Sequence, residues 1–166
     1  PQTSVREYGQ LPVTRDDMRN LPYRSNSFGA LDNFFTSFGY FATEDENLHV
    51  VHEMASVIKP RAPFLFDYLN VHRELSKMIQ KEVRETPTGT VSIERWFDSS
   101  DRSFNKRMTI DGRRYLERVR GYDLDEIAAL FTSSGMSIRE AFGDFDGAPF
   151  DRESPRRVLF GAKGDE

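Results

Sequence analysis

Three histidines are the side chains of this sequence whose ordinary pKa suits proton transfer near neutral pH. His49 and His52 are three residues apart in a predicted helix, a spacing at which two imidazoles can bind one metal ion. Asp45 and Ser56 lie beside them, which favours a solvated polar face, and we expect no metal site there. His72 follows a predicted strand and is a candidate general base, although a histidine in such a place is more often an ordinary surface residue.

The composition excludes several classes of site. The chain has no cysteine, which rules out a thiolate nucleophile, a disulfide framework and a cysteine-ligated metal, and which fits a cytoplasmic protein. Its 23 basic and 27 acidic residues are interspersed and give a formal charge of −4, so we expect no nucleic-acid partner. No apolar stretch approaches the roughly 20 residues that span a bilayer. We therefore expect one soluble domain over all 166 residues, without a membrane partner.

The segment at residues 28–41 is the strongest candidate for a binding site. It reads FGALDNFFTSFGYF, a short apolar run that stops at Asn33 and then turns among further aromatic residues. This pattern predicts a buried strand that ends in a pocket rim. Thr43 and Glu46 form a capping-box pattern that opens a helix over residues 44–58. Ligands of open α/β sheets bind beyond the carboxyl ends of the strands, so the rim could be a site; the alternative is core packing without a ligand.

The remaining elements are strands and helices around an antiparallel segment. An insert over residues 90–120 has the hairpin signal Asp111-Gly112, and its aromatic residues Trp96, Phe97 and Phe104 could make it a lid or a dimer face. Strand, helix and strand in succession imply a parallel pair with a right-handed crossover. The further predicted elements are helices at 2–8, 71–81 and 123–134, and strands at 11–16, 62–69, 136–142 and 157–162.

The order of these pieces resembles a known family. The sequence carries DDMRNLPY, FGALDNFFTSFGYF, VIKPRAPFLFDYLN, YDLDEIAALFTSSGM and GDFDGAPFDRESPRRVLFGAK in that order. They resemble the later two-thirds of a class I S-adenosylmethionine-dependent methyltransferase of the small soluble type, from about residue 5 to residue 163. The resemblance implies an α/β fold: a Rossmann-like sheet that is incomplete, with strands three to seven, helices on its faces and the antiparallel β insert.

The resemblance also implies a cofactor site for S-adenosyl-L-methionine. It places Asp17 at the adenine amino group and the backbone of Met18 at the edge of the adenine ring. It places the segment after the fourth strand beside the methionine end of the cofactor and the transferable methyl group. That segment consists of Asn33, Phe34, Phe35, Thr36 and Ser37. Attraction between a sulfonium and an aromatic ring makes Phe34 or Phe35 a reasonable neighbour of the methyl group.

Substrate contacts in this family come from the residues after the fifth strand and from the insert. The matching residues here are Asn70, His72, Arg120 and Tyr122, with Asp144 and Asp146 as more distant candidates. His72 and Tyr122 are the candidate catalytic groups. Methyl transfer is an in-line displacement that depends mainly on proximity and orientation, so a general base is not required by the chemistry.

Part of the family pattern is absent from the sequence. It contains no glycine-rich turn of the GxGxG type and no match for the acidic residue that holds the ribose hydroxyls. The predicted strand at 11–16 therefore has no neighbour, and a lone strand leaves its backbone groups unpaired. We expect the chain to be N-terminally incomplete, its sheet being completed by a missing N-terminal segment or by a second copy in a homodimer. By itself it should bind the cofactor poorly.

Two functions from different classes fit these patterns. The first is a methyltransferase that acts on a small-molecule acceptor, whose amine, hydroxyl or carboxylate nature the sequence leaves open. The alternative is a non-catalytic methyltransferase-like remnant that acts as a dimerisation or interaction module through its aromatic insert.

Overall fold

The computed structural model describes residues 13–87 and 89–165. Three helices and eight strands form within these residues. The helices are α1 (Glu44–Val57), α2 (Val71–Lys77) and α3 (Leu124–Ser133). The strands are β1 (Leu31–Asn33), β2 (Pro63–Tyr68), β3 (Lys81–Thr86), β4 (Gly89–Asp98), β5 (Ser103–Ile110), β6 (Arg113–Arg120), β7 (Met136–Phe142) and β8 (Arg157–Lys163). The helix predicted at 2–8 lies outside the described residues.

The first sheet is mixed and has the strand order β1-β2-β8-β7. β1 and β2 are parallel, with Leu31 opposite Phe64 and Asn33 opposite Phe66, and α1 connects them. β8 runs antiparallel to both β2 and β7. The carboxyl ends of β1 and β2 therefore lie side by side at one end of the sheet.

Aromatic rings build the core between this sheet and its helices. Phe131 of α3 lies with its ring centroid 4.9 Å from that of Phe64 and 5.0 Å from that of Phe66. Phe38 lies 5.4 Å from Phe66, and the buried residues of α1 belong to the same hydrophobic cluster. Burying each such ring contributes roughly 1.5–3 kcal/mol.

The helix starts follow the predicted capping patterns. The Thr43 side chain accepts from the Glu46 amide at 3.2 Å, and Glu46 Oε2 accepts from the Thr43 amide at 3.2 Å. At α3, Glu126 Oε2 accepts from the Asp123 amide at 2.6 Å. Within the described part of the chain, no helix is long and apolar enough to cross a membrane.

The second sheet is antiparallel throughout and has the strand order β3-β4-β5-β6. Three of its strands coincide with the alternating segments of the sequence, whereas the prediction of a helix up to residue 81 is wrong at its end. α2 stops at Lys77 because Met78 adopts an extended conformation, and the chain then pairs with β4, Lys81 opposite Glu94. The sequence of β3 is mostly charged, and the strand is largely exposed. Such a sequence does not indicate a strand unless its partner strand is known.

The strand predicted at 11–16 is not formed in its described part. Residues 13–16 form no strand and belong to no sheet, and residues 11 and 12 lie outside the described range. Among the described residues β1 pairs only with β2, and no strand pairs with the segment before β1. The resemblance predicted strands three to seven of the family's sheet, and the first sheet contains four strands.

Candidate functional site

The turn after β1 has a strained backbone. Phe35 and Thr36 are consecutive non-glycine residues in the left-handed region, with φ of 59° and 58°. Such residues cost roughly 1–3 kcal/mol each, and a β-branched threonine is an outlier there. The Phe35 amide donates to Asp67 Oδ2 at 2.6 Å, and the Thr36 amide donates to the Asp67 carbonyl at 3.3 Å. The end of β2 therefore holds this turn.

Asp67 also pairs with an arginine from the last loop. Its side chain is fully buried, and the Nε and Nη2 atoms of Arg156 donate to its two carboxylate oxygens at 2.5 Å each. A buried carboxylate needs hydrogen-bonding or charged partners to be stable, and a bidentate guanidinium is the strongest of these. The guanidinium carbon lies 5.9 Å from the centre of the Phe35 ring and 5.6 Å from that of Phe145. One carboxylate thus joins β2, the turn after β1 and the loop before β8.

Asn33 at the end of β1 has an unused hydrogen-bond donor. Its side chain is only 5% exposed, and its Nδ2 atom has no partner among the described residues. An unsatisfied buried donor costs about 1–3 kcal/mol, so Asn33 is a candidate partner for a polar ligand atom. The neighbouring rings of Phe34 and Phe35 are exposed, and the Ser37 hydroxyl donates to the Phe34 carbonyl at 2.7 Å.

A cavity of about 440 Å³ lies between these strand ends and the second sheet. Phe35, Thr36 and Arg156 line it on the side of the first sheet. Residues of β3 to β6 line it on the other side, and the charged ones are mostly paired with one another. These residues include Glu82, Arg84, Arg95, Lys106 and Glu117. The volume lies within the range of small-molecule sites.

Asp17 and Met18 line a second, shallower depression together with Phe41. The Asp17 carboxylate is paired there with Arg19, whose Nη2 atom donates to Asp17 Oδ2 at 2.7 Å. Hydrogen bonds from the Arg19 side chain and backbone lower the pKa of Asp17 to about 2. The guanidinium of Arg19 also stacks on Phe41, with 4.4 Å between its carbon and the ring centre. The structure therefore brings Asp17 and Met18 together in a surface concavity, with the carboxylate exposed.

Arg120 and Tyr122 belong to a network at the start of α1. Tyr122 is 2% exposed, and its hydroxyl donates to Glu44 Oε2 at 2.7 Å. The Nε atom of Arg120 donates to Glu44 Oε1 at 2.8 Å. Burial and the neighbouring Glu44 carboxylate raise the pKa of Tyr122 above its ordinary value, so the phenol stays protonated. Neither residue lines the cavity, and both join the second sheet to α1 in this conformation.

The side chain of Asn70 forms hydrogen bonds within the protein. Its side chain is fully buried, and its Nδ2 atom donates to three backbone carbonyls of the last loop. The acceptors are Asp151 at 3.0 Å, Arg152 at 3.1 Å and Ser154 at 2.9 Å. The amide therefore anchors this loop and is not exposed to an acceptor molecule.

The other predicted substrate residues lie apart from the cavity lining. His72 is exposed in the first turn of α2. Asp144 caps its own loop, where its Oδ1 atom accepts from the amides of Asp146 at 2.9 Å and Ala148 at 3.0 Å. None of these three residues is among those that line the cavity with Phe35.

Two residues of the site were missed by the sequence reasoning. Asp67 is a carboxylate inside the apolar strand APFLFDYL, and its position near the carboxyl end of that strand is a signal that could have identified it. Arg156 lies in a loop rich in charged residues and carries no comparable signal.

No protein-family model matches this sequence, and no curated protein sequence matches it. Solved structures match it well. The CcbJ methyltransferase from Streptomyces caelestis has a TM-score of 0.74 at 15% identity, with 90% of this chain and 66% of that chain covered. An S-adenosylmethionine-dependent methyltransferase from Clostridium acetobutylicum has a TM-score of 0.77 at 16% identity, covering 98% and 69%. The sugar N-methyltransferase KedS8 from Streptoalloteichus sp. has a TM-score of 0.64 at 16% identity, covering 98% and 66%.

These likenesses define the fold. The chain has the fold of the class I S-adenosylmethionine-dependent methyltransferases, as its motifs predict. It spans 66% and 69% of the length of the first two structures.

Proposed function

We propose that the chain carries the acceptor-binding part of an S-adenosylmethionine-dependent methyltransferase that acts on a small molecule. The observation that carries this proposal is the cavity of about 440 Å³ between the carboxyl ends of β1 and β2 and the second sheet. In open α/β sheets ligands bind at this end of the strands. The neighbours described as S-adenosylmethionine-dependent or sugar methyltransferases support the reaction class.

The residues at the end of β1 fit the cofactor. The buried Nδ2 donor of Asn33 lacks a partner among the described residues, and a polar atom of a ligand would satisfy it. Asp17 and Met18 would hold the adenine, a carboxylate and a backbone amide being suited to its donor and acceptor. Ser37 and the ring of Phe34 would complete the wall beside Asn33. When bound, S-adenosylmethionine supplies a methyl group on a sulfonium centre.

The chain's own part in the reaction is to bind, orient and exclude water. The rings of Phe34 and Phe35 favour a cation near them and displace water from the end of β1. Asp67 and Arg156 fix the turn that carries Phe35. The cavity holds the acceptor in line with the methyl group, and this alignment accounts for a large share of the acceleration of such a displacement. We assign no proton transfer to Tyr122, because its phenol is buried and hydrogen-bonded to Glu44.

Calorimetric titration with S-adenosylmethionine tests the proposal, at cofactor concentrations high enough to saturate the weak binding that the sequence predicts. Asn33→Ala removes the unpaired donor and should weaken binding by about 1–3 kcal/mol, and Asp17→Ala should do the same at the adenine end. Asn26→Ala is the matched control, because Asn26 contacts Lys163 and the end of α1, at the opposite end of β1. Its affinity should equal that of the unaltered chain.

The outcomes separate the two functions. Weakened binding in both variants supports the methyltransferase. Absence of binding by the unaltered chain, together with a dimeric mass in solution, supports the non-catalytic module. Binding that neither variant weakens shows that the cofactor residues are assigned wrongly.

A further inference from the structure

Phe35 combines two features that each lower the stability of a folded chain. Its side chain is 75% exposed, and its backbone is left-handed with φ of 59°. An exposed ring gains little from burial, and a left-handed conformation is rare for a residue other than glycine. Core packing explains neither feature, because the hydrophobic core cluster does not include Phe35. Residues strained in this way occur preferentially at binding sites.

The carboxylate of Asp67 holds Phe35 in this conformation. It accepts from the Phe35 amide at 2.6 Å and from Arg156 at 2.5 Å, while it is itself fully buried. The guanidinium of Arg156 lies 5.9 Å from the Phe35 ring. Loss of the negative charge on Asp67 would therefore release the strained turn and the arginine beside it at once.

The ring that is held in this way belongs to the cavity wall. Phe35, Thr36 and Arg156 line the cavity of about 440 Å³, and Leu69 is a further apolar residue of that lining. The opposite wall, on β3 to β6, consists mostly of charged side chains paired with one another. Tyr40 and Phe104 line the cavity as well, and Phe35 is the most exposed of these three aromatic residues.

We infer that Phe35 selects an acceptor that carries a planar ring and that Asp67 is its positioning residue. This inference rests on the proposed function, which makes the cavity the acceptor site. A planar aromatic ring gains the stacking energy of an aromatic pair on Phe35, whereas a saturated ring of the same size gains only ordinary apolar contact. Stacking of one aromatic pair favours binding by roughly two- to tenfold.

Two neutral probes measure this preference without cofactor. Benzyl alcohol and cyclohexylmethanol share the hydroxymethyl group and differ only in the ring, and ligand-observed NMR gives the affinity of each for the complete chain. The unaltered chain should bind benzyl alcohol roughly two- to tenfold more tightly. Phe35→Leu should lower this ratio towards one, because Tyr40 and Phe104, the other aromatic residues of the lining, are less exposed than Phe35. Trp96→Leu should leave it unchanged, because Trp96 is an exposed ring of the second sheet outside the cavity lining.

Asp67→Asn tests the positioning role. The variant keeps the size of the side chain and loses its charge, and in the folded protein the preference should fall as it does in Phe35→Leu. A merely structural Asp67 would lower the unfolding midpoint and leave the preference intact, which would overturn the role. If Asp67→Asn does not fold, Arg156→Lys is the second variant, because it keeps the positive charge but loses the bidentate contact with Asp67. A preference that is unchanged in Arg156→Lys would equally overturn it.

Other outcomes bear on ring selection and are separable from the cofactor test. Equal binding of the two probes by the unaltered chain, or a preference that is undiminished in Phe35→Leu, overturns ring selection by Phe35 even if S-adenosylmethionine binds. A clear preference in a chain that does not bind S-adenosylmethionine supports ring binding and contradicts the proposed function.

Discussion

Replacement of Asn70 by alanine should destabilise the protein because it releases the last loop. The Nδ2 atom donates to three backbone carbonyls between residues 151 and 154 at 2.9–3.1 Å, and the side chain is fully buried. Each hydrogen bond contributes about 0.5–1.5 kcal/mol net. The main chain at residues 151 and 152 is in an exposed part of the loop and can be hydrated again, so part of the loss is recovered. We expect the free energy of unfolding to fall by about 2–3 kcal/mol.

Urea unfolding measured by circular dichroism gives this value from the shift of the midpoint. Asn20→Ala is the control, because Asn20 is exposed, and its stability should change by less than about 0.5 kcal/mol. If Asn70→Ala unfolds at the same urea concentration as the unaltered chain, the loop does not depend on this amide. In that case Asn70 would return to the substrate candidates.

Three further predictions concern residues at separate places in the fold. Tyr122→Phe should lower the free energy of unfolding by about 0.5–1.5 kcal/mol through loss of one hydrogen bond. Under the proposed function, the folded variant should keep any methyl transfer that the unaltered chain shows; loss of transfer without loss of stability would show a catalytic phenol. The pKa of Asp17 is depressed to about 2, so its contribution to stability is present above the ordinary carboxyl pKa of about 4 and is lost as the pH falls towards 2. Arg19→Gln should raise the pKa of Asp17 in an NMR titration, and an unchanged pKa would refute the pairing. Gly161→Ala should destabilise by about 1–3 kcal/mol or more in thermal unfolding, because its Cβ would meet a backbone oxygen at 2.2 Å. Gly29→Ala, with open space around it, should be neutral, and equal midpoints would contradict the packing.

The sequence predicted the elements whose signals are local. The capping boxes at Thr43 and Asp123 predict the first residues of α1 and α3 to within about one residue, because each capping box is a contact between residues close in the sequence. The hairpin signal at Asp111-Gly112 likewise sits between β5 and β6, where Asp111 and Gly112 both have a positive φ. Asn33 and Phe35 were selected as site residues, and both lie at the end of β1.

The elements that depend on distant partners were not predictable from the sequence. β3 exists because residues 81–86 pair with β4, and its own sequence is charged and short. Asn70 and Arg120 are polar residues at strand ends, the type expected at a site, but the structure pairs them with loop carbonyls and with Glu44. Asp67 and Arg156 are 89 residues apart, and their contact follows from the sheet order alone.

The central claim is that the end of β1 binds the methyl donor beside the cavity. The side-chain amide of Asn33 reports on it directly, because its Nδ2 donor is buried and unpaired among the described residues. In a 15N NMR titration with S-adenosylmethionine, the account predicts that the Asn33 amide resonances shift in a saturable manner while those of Asn26 do not. Unshifted Asn33 resonances at a cofactor concentration that shifts others in the chain would contradict the account.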